Sequence, residues 1–348
     1  MKFPTPILNA FLEQPQFAAS MPCAALRQQP LGFIDVGARG GIHDLVLPLA
    51  GATAVLGFEP DGEECRRLKL EMASCSPWAK FAVEPWALAE KEGQASLYVQ
   101  TMSTNSSLRL YNPDFVQRYQ MARDHVDTIS VPIATLDRLL FEDRAKETNW
   151  GEFIKLDTQG TEFEVLQGAR RTLAERTVAV FSEVTFFESY RGQKLFSEVE
   201  MLLREQGFSF YGFASMHTRA CKLLNKRQSA ACERAYFADA VFFKDPLPGG
   251  LASATMSQRQ QLVLFTCAML LGYYDFALQL ALDTWAKDDE AERIKLFVQG
   301  QAAQAAAQSV QEARKQMESF LSAPDRAIVQ LGRIVDQRRH FSDYDNVL

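Results

Sequence analysis

Two periods of apolar and polar residues alternate along most of this chain. Residues 31–36 and 54–58 are short apolar runs, the first carrying Asp35 near its end and the second followed by Glu59, and both read as buried strands. After Pro60-Asp61-Gly62, apolar Cys65, Leu68 and Met72 recur at i, i+3 and i+7 among charged residues, the stripe of an amphipathic helix. A strand near residues 81–83 follows, then a hairpin arm over 95–99 entered through Gly93. Residues 101–127 are polar and aromatic without a period and read as a long loop over the site. Residues 153–157 predict a strand ending in an acid. Gly160 supplies the turn, and Phe163, Leu166, Ala169 and Leu173 stripe the next helix. Residues 178–184 predict another strand, 195–206 a helix stopped by Gly207, and 208–213 with 236–243 a closing antiparallel edge pair. Strand and helix in this alternation predict a doubly wound, mostly parallel α/β sheet with helices on both faces.

The pattern changes at Asp245-Pro246-Leu247-Pro248-Gly249-Gly250, which reads as a linker. Beyond it only helical patterns occur. The expected organisation is an N-terminal segment (1–30), a sheet domain (31–245) and an all-helical C-terminal domain (251–348). Leu270-Leu271-Gly272-Tyr273-Tyr274 with Ala277 and Ala281 is similar to part of a tetratricopeptide unit, but no second copy follows. The apolar run 262–271 must be buried against its own partner helices, the sheet domain or a second subunit, and a homodimer through this region is one expectation.

Composition removes several function classes. At 348 residues, 47% hydrophobic and 23% charged, the chain can bury a sizeable core as a globular protein. Its longest apolar stretch is too short to cross a bilayer, and its first residues lack a signal-peptide pattern. A net charge of −6 without a basic run disfavours a nucleic-acid partner. Six scattered cysteines, none as CxxC, suit a reducing cytoplasm; with four unpaired histidines, no metal site is expected.

Candidate chemistry concentrates at Asp35-Val36-Gly37-Ala38-Arg39-Gly40-Gly41, with Glu59 closing the next strand. Glycines let the backbone turn and approach a ligand closely, and Glu59 is placed to take two ribose hydroxyls. A pyrophosphate would be repelled by Asp35 at the strand tip, whereas a ligand with an amino group and a sulfonium would be attracted. That combination points to S-adenosylmethionine. Gly37 and Gly41 would face its methionine end, and Arg39 would pair with its carboxylate. Trp86 and Ala87, after the third strand, are candidates for the adenine end. Asp157 and Glu183 are the candidate catalytic carboxylates, and the sequence does not choose between them as general base. Glu188, Tyr190, His217 and the cluster Asn105-Ser106-Ser107 are weaker candidates.

Ile34-Asp35-Val36-Gly37-Ala38, Gly57-Phe58-Glu59-Pro60, Ala87-Leu88-Ala89, Ser106-Ser107-Leu108, the run from Val131 to Asp137, and Ile154-Lys155-Leu156-Asp157 through Gly160-Thr161-Glu162, Val165-Leu166 and Gly168-Ala169 occur in one order. In that succession the chain resembles the FkbM family of S-adenosylmethionine-dependent methyltransferases over residues 31 to about 243. Thr158-Gln159 stands where the family commonly has Val-Glu, and Arg39 where it commonly has Asn. The resemblance implies a class I, Rossmann-like methyltransferase fold and O-methylation of a hydroxyl on a sugar, glycan or secondary metabolite. The rival reading is a catalytically weak cofactor-binding module whose helical region recruits a protein partner. Intact Asp35, Glu59 and Asp157 argue against it.

Overall fold

Six consecutive buried residues form β1 (Leu31–Val36) in the computed structural model, which describes residues 6–121, 125–147, 150–224, 232–252 and 256–322. Two short helices precede it, α1 (Pro15–Ala18) and α2 (Met21–Gln28). After it come β2 (Thr53–Phe58), α3 (Gly62–Ser74) and β3 (Lys80–Glu84). Then follow β4 (Ala87–Leu88), β5 (Gly93–Gln100), α4 (Pro113–Tyr119), β6 (His125–Ala134) and α5 (Leu136–Arg138). The second half of the sheet region holds β7 (Phe153–Leu156), α6 (Glu162–Gln167), α7 (Arg170–Glu175), β8 (Ala179–Thr185), α8 (Phe196–Glu205), β9 (Ser209–Arg219) and β10 (Arg234–Phe243). Three helices end the described chain: α9 (Gln258–Leu270), α10 (Tyr274–Thr284) and α11 (Asp288–Ser322).

The main sheet runs β3-β2-β1-β7-β8-β10-β9. Neighbours pair in parallel from β3 to β8, and β10 is antiparallel to both β8 and β9. This is the expected doubly wound sheet with its antiparallel edge. The order reverses between β1 and β7, which opens a crevice at the carboxyl ends of the strands. The loop reading of 101–127 needs revision. A 3₁₀ turn at Ser103–Asn105 and α4 lie inside it, and β6 begins at His125. β6 joins β4 and β5 in a second, three-stranded sheet that the sequence pattern did not reveal.

Alternation along each strand divides the core. Ile34, Leu56, Ile154 and Phe242 face one side and pack with Val165, Leu166, Val199 and Leu203 of the intervening helices. Phe33, Val55, Phe153, Phe181 and Phe243 face the other and share one hydrophobic cluster with Phe11, Phe17, Val263, Phe265, Leu280 and Phe297. The chain does turn at Asp245, but the helices beyond it complete the sheet's own core. All of residues 262–270 are buried, so α9 is an interior helix. Arg259 anchors it with a bidentate pair to Glu152 (2.8 and 2.8 Å) and with bonds to the carbonyls of Ala25, Gln29 and Pro30. No described helix is long and apolar enough to cross a membrane.

Candidate functional site

A cavity of about 230 Å³ opens where β1, β2 and β7 end. Its walls include Gly37, Arg39, Gly41, His43, Glu59, Trp86, Ala87, Lys155, Asp157 and Gln159, and it is roofed by Ser103, Thr104 and Ser106 to Leu108. Seven of the nine principal candidates therefore line one cavity, as do Ser106 and Ser107 among the weaker ones; Asp35 and Glu183 lie outside its lining.

The turn after β1 brings the chain back over the strand ends. Gly37 has φ +84°, and a Cβ there would overlap the Asp157 carbonyl oxygen. The glycine is thus required by the close packing of the β1 and β7 tips. Gly41 (φ +131°) is different: a Cβ there would meet nothing, so the backbone lies against open space.

Asp35 does not present its charge to the cavity. It is buried, ion-paired with Lys155 Nζ at 3.0 Å, and accepts a hydrogen bond from the His43 amide at 2.7 Å. Arg39 is likewise engaged. It pairs with Asp61 at 2.6 Å and reaches Glu59 at 3.5 Å, so its guanidinium braces the acids at the β2 end. Asp61 also caps α3 by accepting from the amides of Glu63 and Glu64. Glu59 is 3% exposed and accepts from the Asp61 amide at 2.9 Å. Burial pushes its carboxyl above the usual range, against the opposing pull of that amide and of Arg39. Trp86 is half-buried, with the Arg138 guanidinium 5.2 Å from its ring centroid. Ala87 is buried beside it.

The opposite side of the cavity is a carboxylate cluster. Ligand oxygens of Asp157, Glu162 and Glu183 lie within 4.8 Å of one another. Such oxygens are of the type a hard divalent cation takes, although the chain already directs its own donors at them. Glu162 accepts from the amides of Thr158 and Gly160 and from the Thr158 hydroxyl. Gln159 Nε2 donates to Asp157 at 2.8 Å and to Glu183 at 3.4 Å. Burial drives the Glu183 carboxyl well above its ordinary value, helped by repulsion from Asp157, Glu162 and Asp239. Lys155 sits among these acids. Burial alone would lower its ammonium, but Asp35, Asp157 and Glu183 reverse the direction and hold it charged.

Gln159 adopts φ +58°, a left-handed conformation uncommon for a side chain of this size. Its carbonyl accepts from Ser107 Oγ at 2.6 Å, and its Oε1 accepts from Tyr190 OH at 2.8 Å. Tyr190 stacks on Tyr111, with centroids 4.5 Å apart. The residue thus ties the roof segment and the 190 loop to the two carboxylates. Lys155, Gln159 and His43 were all missed as site residues. The lysine sits in an apolar strand, where only its rarity in a buried run signals a role. His43 lines the cavity with its Nδ1 accepting from the Leu45 amide, and burial lowers its pKa. His217 stacks on Phe237 away from the cavity lining, and exposed Glu188 accepts from the Gly192 amide.

A family model described as the methyltransferase FkbM domain matches residues 35–210. Several solved structures also match, among them two methyltransferases. Methyltransferase FkbM from Methylobacillus flagellatus KT is 13% identical over 62% of this chain and 43% of that chain, with a TM-score of 0.32. This chain therefore spans less than half the length of that structure. Magnesium protoporphyrin IX methyltransferase (ChlM) from Synechocystis PCC 6803, solved with bound SAM, is 9% identical over 64% of this chain and 76% of that chain, with a TM-score of 0.31. No curated protein matches the chain.

Proposed function

The chain belongs to the FkbM methyltransferase family, whose methyl donor is S-adenosylmethionine, and from that premise we propose that it methylates a hydroxyl of a sugar, glycan or related small metabolite. The observation that carries this reading is the two-ended cavity: Glu59 at the β2 end and Asp157 at the β7 end line one space.

The residues present fit the cofactor. Glu59 is a buried carboxylate held in position by Arg39 and the Asp61 amide, as a group accepting from two ribose hydroxyls must be. Gly41 leaves backbone next to open space, and Trp86 and Ala87 supply an apolar wall for the adenine. When bound, the cofactor supplies an electrophilic methyl carbon on a sulfonium. The chain's part is to align an acceptor oxygen with that carbon, to exclude water, and to take the proton released. Asp157 is the assigned base because its carboxylate borders the cavity. Asp157 would take the acceptor's hydroxyl proton as that oxygen gains the methyl and the sulfonium sulfur loses it, leaving a neutral thioether. Gln159 fixes that carboxylate through Nε2, while Glu183 lies behind and holds the second contact of the same amide.

Calorimetric titration with S-adenosylmethionine, S-adenosylhomocysteine and NAD tests the cofactor assignment. Both sulfur compounds should bind in preference to NAD. Glu59→Ala removes two charge-assisted hydrogen bonds of about 1.5–3 kcal/mol each, so binding should weaken at least about tenfold. Tighter NAD binding, or no binding of either sulfur compound, rejects the reading. Labelled cofactor with a panel of hydroxylated acceptors, read by mass, then tests the O-methylation step.

A further inference from the structure

The rim of the main sheet carries a row of side chains that proton transfer to Asp157 does not use. Side chains on one face of a strand recur at every second residue, and strand register carries that face to the next strand. Phe181 packs in the same cluster as Phe153 and Phe243, so Glu183 and Thr185 share its face. Glu183 pairs with Asp239 of β10, and Asp239 with Ser215 of β9, whose hydroxyl donates to the Asp239 carboxylate. One step further out, Thr185 pairs with Phe237, and Phe237 with His217. The row joins the cavity at two points. Carboxylate oxygens of Asp157 and Glu183 lie within 4.8 Å of each other, and His43, a cavity wall, packs on Phe181 with centroids 5.7 Å apart.

Three features of this row point to a ligand. Thr185 is 4% exposed, yet its hydroxyl has no hydrogen-bond partner among the described residues. A buried hydroxyl left unpaired is costly, and a group from outside the chain would satisfy it. His217 lies flat on Phe237, with centroids 4.1 Å apart and 11° between the planes, and is itself exposed. One ring backed by another presents a fixed, flat face outward. Burial raises the carboxyls of Asp239 and Glu183 toward their neutral form, in which each can both donate and accept a hydrogen bond. Groups of that kind match neutral hydroxyls rather than a cation.

We propose that this row is the acceptor subsite, and that it takes a neutral, polyhydroxylated molecule of at least two rings. The first ring meets Asp157 and Glu183 with its hydroxyls. The second meets Asp239 and Ser215 and lies against the outer face of His217. This rests on the hydroxyl-methylation reading above and adds the length of the acceptor and the residues that select it. From β7 to β9 the row crosses three strand spacings, about 14 Å at about 4.8 Å each, which is more than one sugar ring spans. Asp239, Ser215 and Phe237 are all partly exposed, so the row is reached from solvent.

Saturation-transfer NMR on the full chain, with S-adenosylhomocysteine present, tests this with defined probes. The methyl glycosides of glucose, galactose and mannose serve as single rings, and maltose, cellobiose, lactose and mannobiose as double ones. At least one disaccharide should receive saturation and bind about tenfold or more tighter than its single-ring counterpart. His217→Ala changes an exposed side chain, so S-adenosylhomocysteine affinity should hold. It should bring the disaccharide down to the affinity of the single ring and leave the single ring unchanged. His217→Trp should restore the difference, and Asp239→Ala should weaken the disaccharide as His217→Ala does. The subsite is overturned if a chain that binds S-adenosylhomocysteine binds no saccharide, or binds one ring and two equally well. Magnesium binding that Asp239→Ala abolishes, with no saccharide bound, overturns it in favour of a cation site. Saccharide binding with the expected variant pattern but no methyl transfer from labelled cofactor supports the subsite and rejects instead the hydroxyl methylation.

Discussion

Lys155→Met separates an ion pair that organises the site from one that merely occupies space. Lys155 Nζ lies 3.0 Å from Asp35, both side chains are buried, and a weaker bond of 3.4 Å runs to the Gly37 carbonyl. At that distance and an effective dielectric constant of about 20, the attraction is about 5–6 kcal/mol before desolvation. Methionine keeps the bulk and deletes the charge, leaving Asp35 with only the His43 amide at 2.7 Å. A buried carboxylate in that position has one escape, which is to take up a proton. For a reference aspartate of pKa about 3.9, protonation costs about 4 kcal/mol at about pH 7 and about 1.5 kcal/mol at about pH 5. Loss of stability is therefore expected to be about 3–4 kcal/mol near neutrality, in the range for a broken buried pair, and to shrink as pH falls.

The native lysine contributes nothing to that slope. Its pKa is raised, so its stabilisation is complete below the ordinary lysine value and fades only as pH climbs through the higher, folded one. Urea unfolding followed by tryptophan fluorescence at the two pH values reads the difference directly. Lys155→Met with Asp35→Asn, which removes both charges, should recover most of the loss. A single-variant loss below about 1 kcal/mol, or one equal at both pH values, would refute the reasoning, because a carboxylate stranded by Lys155 must show both size and slope.

Three further outcomes are expected. Asp157→Asn should lower methyl transfer by on the order of 100-fold or more while changing S-adenosylhomocysteine affinity less than about threefold, read by turnover and calorimetry on one preparation. Glu183, pushed up by burial and neighbouring acids, stabilises the fold below the ordinary carboxylate value and loses that contribution as pH rises through its folded value. Glu183→Gln should therefore raise the melting temperature in mildly alkaline buffer and leave it nearly unchanged in mild acid, by scanning calorimetry. Arg259→Met strands Glu152 against the Gly32 amide alone and should destabilise the sheet and the C-terminal helices together, by about 3 kcal/mol, in a single denaturant transition.

Parallel strands such as β1 and β7 were legible because both faces are covered, which makes their sequence continuously apolar. The edge pair was legible from its own runs. β6 was not, although Ile129, Val131 and Ile133 alternate and pack with Leu97 and Ala87, because polar His125, Asp127 and Thr128 open the strand and Pro132 lies within it. The Pro- and Gly-rich stretch 245–250 is irregular between β10 and α9. Composition could not tell that α9 would be buried on every side, because a run of nine apolar residues fits an interior helix and an interface equally well. At the site, glycines and strand-end acids were found because their positions follow from strand and turn. Lys155 and Gln159 were missed because their roles arise from contacts across the chain, with Asp35, Glu183 and Tyr190.

Those contacts change the electrostatic argument for the cofactor. From sequence, Asp35 supplies the attraction for a sulfonium. In the folded chain that charge is balanced by Lys155 and withdrawn from the wall, and Arg39 is balanced by Asp61 and Glu59. Lys155 and Arg39 thus offset most of the negative charge of Asp35, Glu59 and Asp61 around the β1 turn. Across the cavity Asp157 borders the space, with Glu183 and Glu162 behind it, whose carboxyls burial pushes above their ordinary values toward the neutral form. A cationic methyl donor gains most from a field at its reacting end, and a hydroxyl acceptor needs its proton acceptor at the same place. In the O-methylation we propose, both requirements fall on Asp157. The strained backbone of Gln159 beside it then has a function: φ +58° is the conformation that lets one amide reach both acids while its carbonyl holds the roof through Ser107.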